Sequence, residues 1–176
     1  MSTPDVTEEE KLVAELELLG IRYLSRQTIY QAEQVRPPDE LLADLVRQPS
    51  ARVRAAVIAV LLAQPEYAEA APAAFKRLQP FERLTLGCFY TAAMLLQREY
   101  AGQLRQFVAS RWRWLPEWRE ALAGWSLPDG TPHDKLIALG QAHRRWTQTA
   151  VNWVGTYENV AQRLLRHWEL ESLWKP

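Results

Sequence analysis

The sequence has little cysteine and no net charge, and each shortage excludes a class of protein. A single cysteine, Cys88, rules out an intramolecular disulfide framework and any zinc site built from several cysteines, which favours a reducing compartment. The 21 basic and 21 acidic residues cancel, so no overall field draws the chain onto a phosphate backbone or an anionic membrane. We therefore expect neither a nucleic acid nor a membrane as the principal partner.

Long apolar runs and strand-like patterns are missing as well. The most apolar stretch, Leu84 to Leu96, is too short to span a bilayer, and the first residues are acidic and polar where a secretory signal would be basic and then apolar. These features predict a cytoplasmic protein. Only seven glycines are present, and apolar residues never alternate with polar ones over the length of a strand, so the sequence predicts an all-α fold.

Apolar periodicity and helix-breaking residues divide the 176 residues into helices of one domain. Helices are predicted over about 7–20, 21–35, 41–46, 53–61, 84–96 and 103–110, from 116 onward, and over about 134–154 and 156–171. Residues 1–123 then form a helical array, 124–134 a connector rich in turn signals, and 135–176 a helical hairpin packed on the array.

One short motif occurs twice, each time at the start of an apolar helix. The sequence QPSARV at 48–53 returns as QPFERL at 79–84, and Ala56 corresponds to another small residue, Gly87. Proline fits the first turn of a helix, and a small residue one turn later lets a neighbouring helix approach. With RQPSARVRAAVIAVLL, residues 39–96 resemble the HEAT-repeat family. The resemblance implies an α-α superhelix of antiparallel helix pairs with a concave face for a partner, capped by the tryptophan-rich C-terminal helices.

Four of the eight tryptophans lie in one stretch, RWRWLPEWREALAGW, at 111–125. If Pro116 opens a helix, Trp118 and Trp125 share a stripe with leucines and belong to the core. Trp112 and Trp114 are two residues apart, cannot share a helical face, and are expected to leave one ring exposed. These rings either fill gaps between helices or, beside arginine, form an interface hot spot. The predicted partner-binding residues are Arg111, Trp112, Arg113, Trp114 and Arg119.

The sequence contains no complete catalytic, metal or cofactor signature. His143 lies on an apolar stripe and is expected in the core. His133 with Asp134 resembles the metal pair of HD phosphohydrolases, but the upstream histidine of that family is missing, and Asp134 has a simpler use in capping the next helix. An enzyme would require a cavity that joins at least two of a larger set of side chains, namely His133, His143, Asp129, Glu158 and Arg144.

These observations favour a non-catalytic protein–protein interaction module, such as a small bacterial helical scaffold, regulatory subunit or antitoxin-like partner, with no cofactor and no metal. The alternative is a nucleic-acid-binding helical module. It includes a DNA glycosylase built on HEAT-like repeats, in which Trp125, Asp129 and Arg144 would hold a damaged base. In that alternative, several arginines converge on one face, namely Arg105, Arg111, Arg113, Arg119, Arg144 and Arg145.

Overall fold

Wherever the structure describes regular elements of this protein, they are helices. The structure, a computed structural model, describes residues 5–26 and 30–176. Over these residues the chain forms eight α-helices and no strand, so the predicted all-α fold is confirmed. The helices are α1 (Glu8–Leu18), α2 (Pro38–Val46), α3 (Ala51–Ala63), α4 (Ala71–Arg77), α5 (Pro80–Glu99), α6 (Ala101–Val108), α7 (Pro132–Thr147) and α8 (Trp153–Trp174). In the described part of the chain, none of these helices combines the length and apolar character needed to cross a bilayer.

Most helix starts follow capping signals that are visible in the sequence. The Thr7 hydroxyl accepts a hydrogen bond from the Glu10 backbone N–H, and the Glu10 carboxylate accepts one from the Thr7 N–H, so α1 begins there as predicted. Thr131 and Asp134 form the same reciprocal pair at the start of α7. Proline occupies the first turn of α2 and of α5, where its missing N–H has no intrahelical partner to lose.

Helix α5 is the centre of the fold. Every residue from Thr85 to Gln97 is buried, which confirms that the apolar run is enclosed on all sides. It packs against α3, α7 and α8, and α3 is itself buried without interruption from Ala55 to Ala63. Helices α7 and α8 also pack against each other, as the predicted hairpin requires.

The helix predicted over 21–35 is wrong, because residues 21–26 and 30–35 are not helical; residues 27–29 lie outside the described residues. Ile21 and Leu24 are buried although neither belongs to a helix. The segment returns to the core through Arg36, whose backbone N–H donates to the buried Glu15 carboxylate at 3.0 Å, while its guanidinium binds Glu15 and Asp44 at 2.7 Å. These contacts fix the chain at Arg36, directly after the non-helical segment.

The boundary between the last two helices is also displaced from its predicted position. Gly155 was expected to end a helix running to about 154, but α7 ends at Thr147, and Gln148 adopts a left-handed φ of 51°. The Asn152 side chain then accepts a hydrogen bond from the Gly155 N–H at 3.1 Å and begins α8. A Cβ at position 155 would meet Asn152 Nδ2 at 2.8 Å, so glycine allows this cap rather than a helix end.

Candidate functional site

The chain after α6 runs back along α5 in an extended conformation. Gln97, fully buried on α5, donates to the Arg113 carbonyl at 2.7 Å and accepts from the Leu115 N–H at 2.8 Å. Nearer the start of α5, the Tyr90 hydroxyl donates to the Pro116 carbonyl at 2.7 Å. These bonds hold the backbone of residues 113–116 against α5. The helix predicted from 116 onward is wrong. Only a 3₁₀ turn, Arg119–Leu122, forms there.

The same segment also lies directly against α5 at Gly87. A Cβ on Gly87 would lie 2.0 Å from the Ala121 carbonyl oxygen, which is far inside van der Waals contact. Glycine at this position therefore lets the 3₁₀ turn lie directly on the helix. The small residue expected to admit a neighbouring helix admits this turn instead.

Because the segment is extended, residues two apart lie on the same side, and Trp112 and Trp114 pack against each other. Their ring centroids are 5.3 Å apart at an interplanar angle of 73°. The Arg105 guanidinium carbon lies 5.0 Å from the Trp112 centroid and 5.3 Å from that of Trp114. Trp114 is 48% exposed and Trp112 is partly buried, which confirms the expectation that one ring of the pair is exposed to solvent. We call Arg105, Trp112 and Trp114 the Arg/Trp surface.

Arginines flank the Arg/Trp surface, and acidic residues neutralise two of them. The Arg111 side chain bonds the Gln64 side chain and lies 3.9 Å from Glu66. Arg113 pairs with Glu69 at 3.0 Å. Among the described residues, no carboxylate lies within ion-pair distance of Arg105, so its positive charge remains available beside the rings.

Arg119, the fifth predicted partner-binding residue, lines a different part of the molecule. It borders a cleft of about 750 Å³ between α5, the returning segment and the start of α7. Arg98, Arg119 and Lys135 bring three positive charges to this cleft, and Trp118 and Trp125 contribute aromatic walls. The structure therefore groups Arg111, Trp112, Arg113 and Trp114 together but separates Arg119 from them.

Both tryptophans of the cleft are held by other aromatic rings. The Trp118 ring meets those of Tyr90 and Phe75 edge to face, with centroids 5.2 Å apart in each case. The Trp125 ring meets that of Trp146 at 5.3 Å and 90°. Both rings are partly buried against the core, although no helix places them there. Their orientation is thus fixed by packing on one side while the other borders the cleft.

His143 is a core residue, as predicted. It is 1% exposed, stacks on Trp153 with centroids 3.6 Å apart, and shares a hydrogen bond of 2.5 Å between Nδ1 and the Tyr157 hydroxyl. Its Nε2 is buried without a hydrogen-bond partner among the described residues. Burial in this aromatic cluster lowers the pKa of His143 to about 4, so the ring is neutral at pH 7.

His133 joins two glutamates at the surface. Its Nδ1 lies 3.1 Å from a Glu158 oxygen and 3.6 Å from a Glu99 oxygen. Burial, and then the Glu158 charge, raise the pKa of Glu99. A protonated His133 would tie α5, α7 and α8 together.

The His133 nitrogen and one oxygen each of Glu99 and Glu158 lie within 4.8 Å of one another and could hold a divalent cation. The three residues are far apart in the chain, so sequence spacing gave no signal for this group.

An enzyme would require a cavity that joins at least two of the side chains named in the sequence analysis. His133 and Glu158 do come together, but neither they nor His143, Asp129 or Arg144 line the cleft. Cys88 is buried on α5, and burial raises the pKa of its thiol, so it is not poised as a nucleophile.

The last turns of α8 expose an apolar stripe that the sequence analysis did not single out. Leu170 is 46% exposed, Leu173 79% and Trp174 84%. Their spacing places them on one side of the helix, opposite Trp168, whose indole N–H donates to the Gly20 carbonyl at 2.8 Å. The sequence did contain a signal for this stripe, because the apolar residues at 170, 173 and 174 have the i, i+3 and i+4 spacing of one helical face.

Comparison of the chain with protein-family models, curated proteins and solved structures finds no match.

Proposed function

We propose that this protein is a non-catalytic protein-binding module whose partner contacts the Arg/Trp surface. The observation that carries the proposal is the placement of one arginine over two tryptophan rings, with the outer ring half exposed. Arginine and tryptophan are the residues most enriched at interface hot spots. A regulatory subunit, scaffold or antitoxin-like protein would use such a surface.

Rigidity of the Arg/Trp surface supports the proposal. Gln97 fixes the backbone on either side of Trp114, and the edge-to-face contact with Trp112 fixes the ring. Little side-chain freedom is then lost on binding, which lowers the entropic cost of association. The uncompensated charge of Arg105 favours a partner that brings a carboxylate next to an apolar side chain.

We also propose that α2 to α5 are divergent HEAT-like helix pairs. In support, α2 and α3 pack against each other across a short turn that carries the first QP motif, and α5 begins at the second. The two copies differ in detail, since Pro80 opens α5 whereas Pro49 precedes the Ser50 cap of α3. Such stacked pairs present extended surfaces to partners.

The test is affinity capture from the native host with the wild-type chain and with Trp114→Ala, followed by identification of the bound protein. Because about half of the Trp114 side chain already faces water, its removal should cost about 2 kcal/mol of folding stability, roughly half of the 3–5 kcal/mol of a fully buried tryptophan. Capture of the partner should fall at least about tenfold, as expected for a hot-spot residue.

Trp146→Ala is the matched control, because Trp146 is also partly buried and also packs edge to face on another tryptophan, but on α7. It should lose at least as much stability as Trp114→Ala and still capture the partner. Equal capture by wild type and Trp114→Ala would contradict the proposal.

A nucleic-acid-binding module is the second candidate, because Arg105, Arg144 and Arg145 lie near no carboxylate within the described ranges. The ion pairs of Arg111 and Arg113 reduce the positive field of the Arg/Trp surface and favour a protein instead. Nucleic acid recovered with the chain, and lost steeply as salt is added, would favour this second candidate.

A further inference from the structure

We propose that the cleft between α5, the returning segment and α7 binds a small aromatic anion, a carboxylate or phosphate carried on a flat ring system. The proposal is independent of the protein-binding function, because the cleft and the Arg/Trp surface share no residue. The cleft measures about 750 Å³, within the range of sites for small molecules.

The charge of the cleft argues for an anion. Arg98, Arg119 and Lys135 reach it from α5, the 3₁₀ turn and the first turns of α7. Across residues 5–26 and 30–176, none of the three has a carboxylate within 4.0 Å, although arginines of the first half such as Arg22, Arg36 and Arg77 are paired. Glu117 is the acidic residue of the lining, so the cations outnumber it three to one. Three cations that line one cavity, without a paired carboxylate among the described residues, favour an anion as its ligand.

The walls of the cleft argue for a flat aromatic body. Trp118 and Trp125 present ring surfaces whose orientation is set by contacts with other rings. Met94 and Leu95 of α5 add an apolar floor. Aromatic side chains stack favourably on flat ring systems, and a thioether adapts its shape to them.

The ordering of the segment itself points to a binding role. Between α6 and α7 the chain is irregular apart from two short 3₁₀ turns, yet buried Gln97, Tyr90 and the close contact at Gly87 hold it against α5. Long segments of irregular structure inside a packed domain are uncommon and are usually functional.

Calorimetric titration of the full chain with three naphthalene probes tests the proposal. We expect 2-naphthoate or 1-naphthyl phosphate to bind with a dissociation constant below about 1 mM, and uncharged 2-naphthylmethanol at least about tenfold more weakly. Binding of only one of the two anions identifies the charged group that the cleft prefers. Affinity for the anion should fall when sodium chloride is raised from about 50 to about 300 mM, while that for the alcohol should not.

Arg98→Gln and Arg119→Gln should each weaken anion binding at least about fivefold without loss of thermal stability, since both side chains are exposed. Arg144→Gln is the matched control, an exposed arginine on α7 outside the cleft, and should bind as wild type. The proposal is overturned if neither anion binds, if the alcohol binds as tightly as the anions, or if Arg144→Gln weakens binding as much as Arg119→Gln. Arg119→Gln should leave partner capture unchanged, which separates this test from that of the Arg/Trp surface.

Discussion

Replacing Gly87 by alanine tests whether the returning segment is fixed by direct contact with α5. The added Cβ would lie 2.0 Å from the Ala121 carbonyl oxygen and 2.8 Å from its carbon, both of them backbone atoms. Ordinary van der Waals contact begins near 3.4 Å, so the 3₁₀ turn must move by more than about 1 Å. Backbone cannot rotate away as a long side chain can, and the turn carries buried Leu122, which lines the cleft.

Overpacking costs about 1–3 kcal/mol, and we expect the upper end here because the displaced atoms are backbone; the better helix propensity of alanine then offsets about 1 kcal/mol. For a chain of this length, a net loss of about 2 kcal/mol lowers the melting temperature by roughly 4–8 °C. Gly102→Ala is the matched substitution on α6, where no atom lies within 4 Å of the new Cβ. It should stabilise the protein by up to about 1 kcal/mol, because alanine has less freedom to lose on folding.

Thermal unfolding followed by circular dichroism measures both variants under the same conditions. Opposite signs for the two substitutions are the expected result. If Gly87→Ala melts at or above the wild-type temperature, the turn does not lie on α5 as described, and the cleft that it borders would have a different shape.

Two further predictions concern buried polar groups. The pKa of His143 is about 4 in the folded protein against 6.5 for an unperturbed histidine. As the pH falls, the unfolded chain therefore takes up this proton first. The free energy of unfolding is highest above pH 6.5 and falls by about 3 kcal/mol toward pH 4. His143→Phe should remove this part of the pH dependence in urea titrations, and a pH profile identical to wild type would show that His143 is not responsible. Arg36→Met leaves the buried Glu15 carboxylate without its cation and should cost about 2–4 kcal/mol in urea unfolding. The double variant Arg36→Met with Glu15→Leu should recover much of that loss, and a double variant less stable than Arg36→Met would contradict the ion-pair explanation.

Local signals predicted those parts of the fold that local interactions decide. Thr7 and Pro80 mark helix starts because capping and proline chemistry act within one turn. The apolar run of α5 is long enough to require burial on all sides. The two failed helices, over 21–35 and from 116 onward, each adjoin a point at which a distant polar side chain binds the backbone. Glu15 does so for Arg36, and Gln97 does so for Arg113 and Leu115. Apolar periodicity carries no information about such partners.

In the candidate site, too, local features could be predicted from the sequence and tertiary contacts could not. The composition of 111–114 was enough to identify an arginine and tryptophan surface, and the spacing was enough to expect one exposed ring. The contact between Trp112 and Trp114 was missed because their spacing was compared only with a helical face, although they lie between the predicted helices, and an extended chain places residues two apart on one side. Arg105 joins them from α6, and Arg98 meets Arg119 and Lys135 at the cleft only through tertiary packing.

The most direct test of the proposed function places a photo-crosslinking benzophenone amino acid at position 114, or at the exposed position 144 as a control, in the native host. The account predicts a covalent adduct with one protein from position 114 and none from position 144. Equal crosslinking from both positions, or an adduct from position 114 with nucleic acid alone, would contradict it.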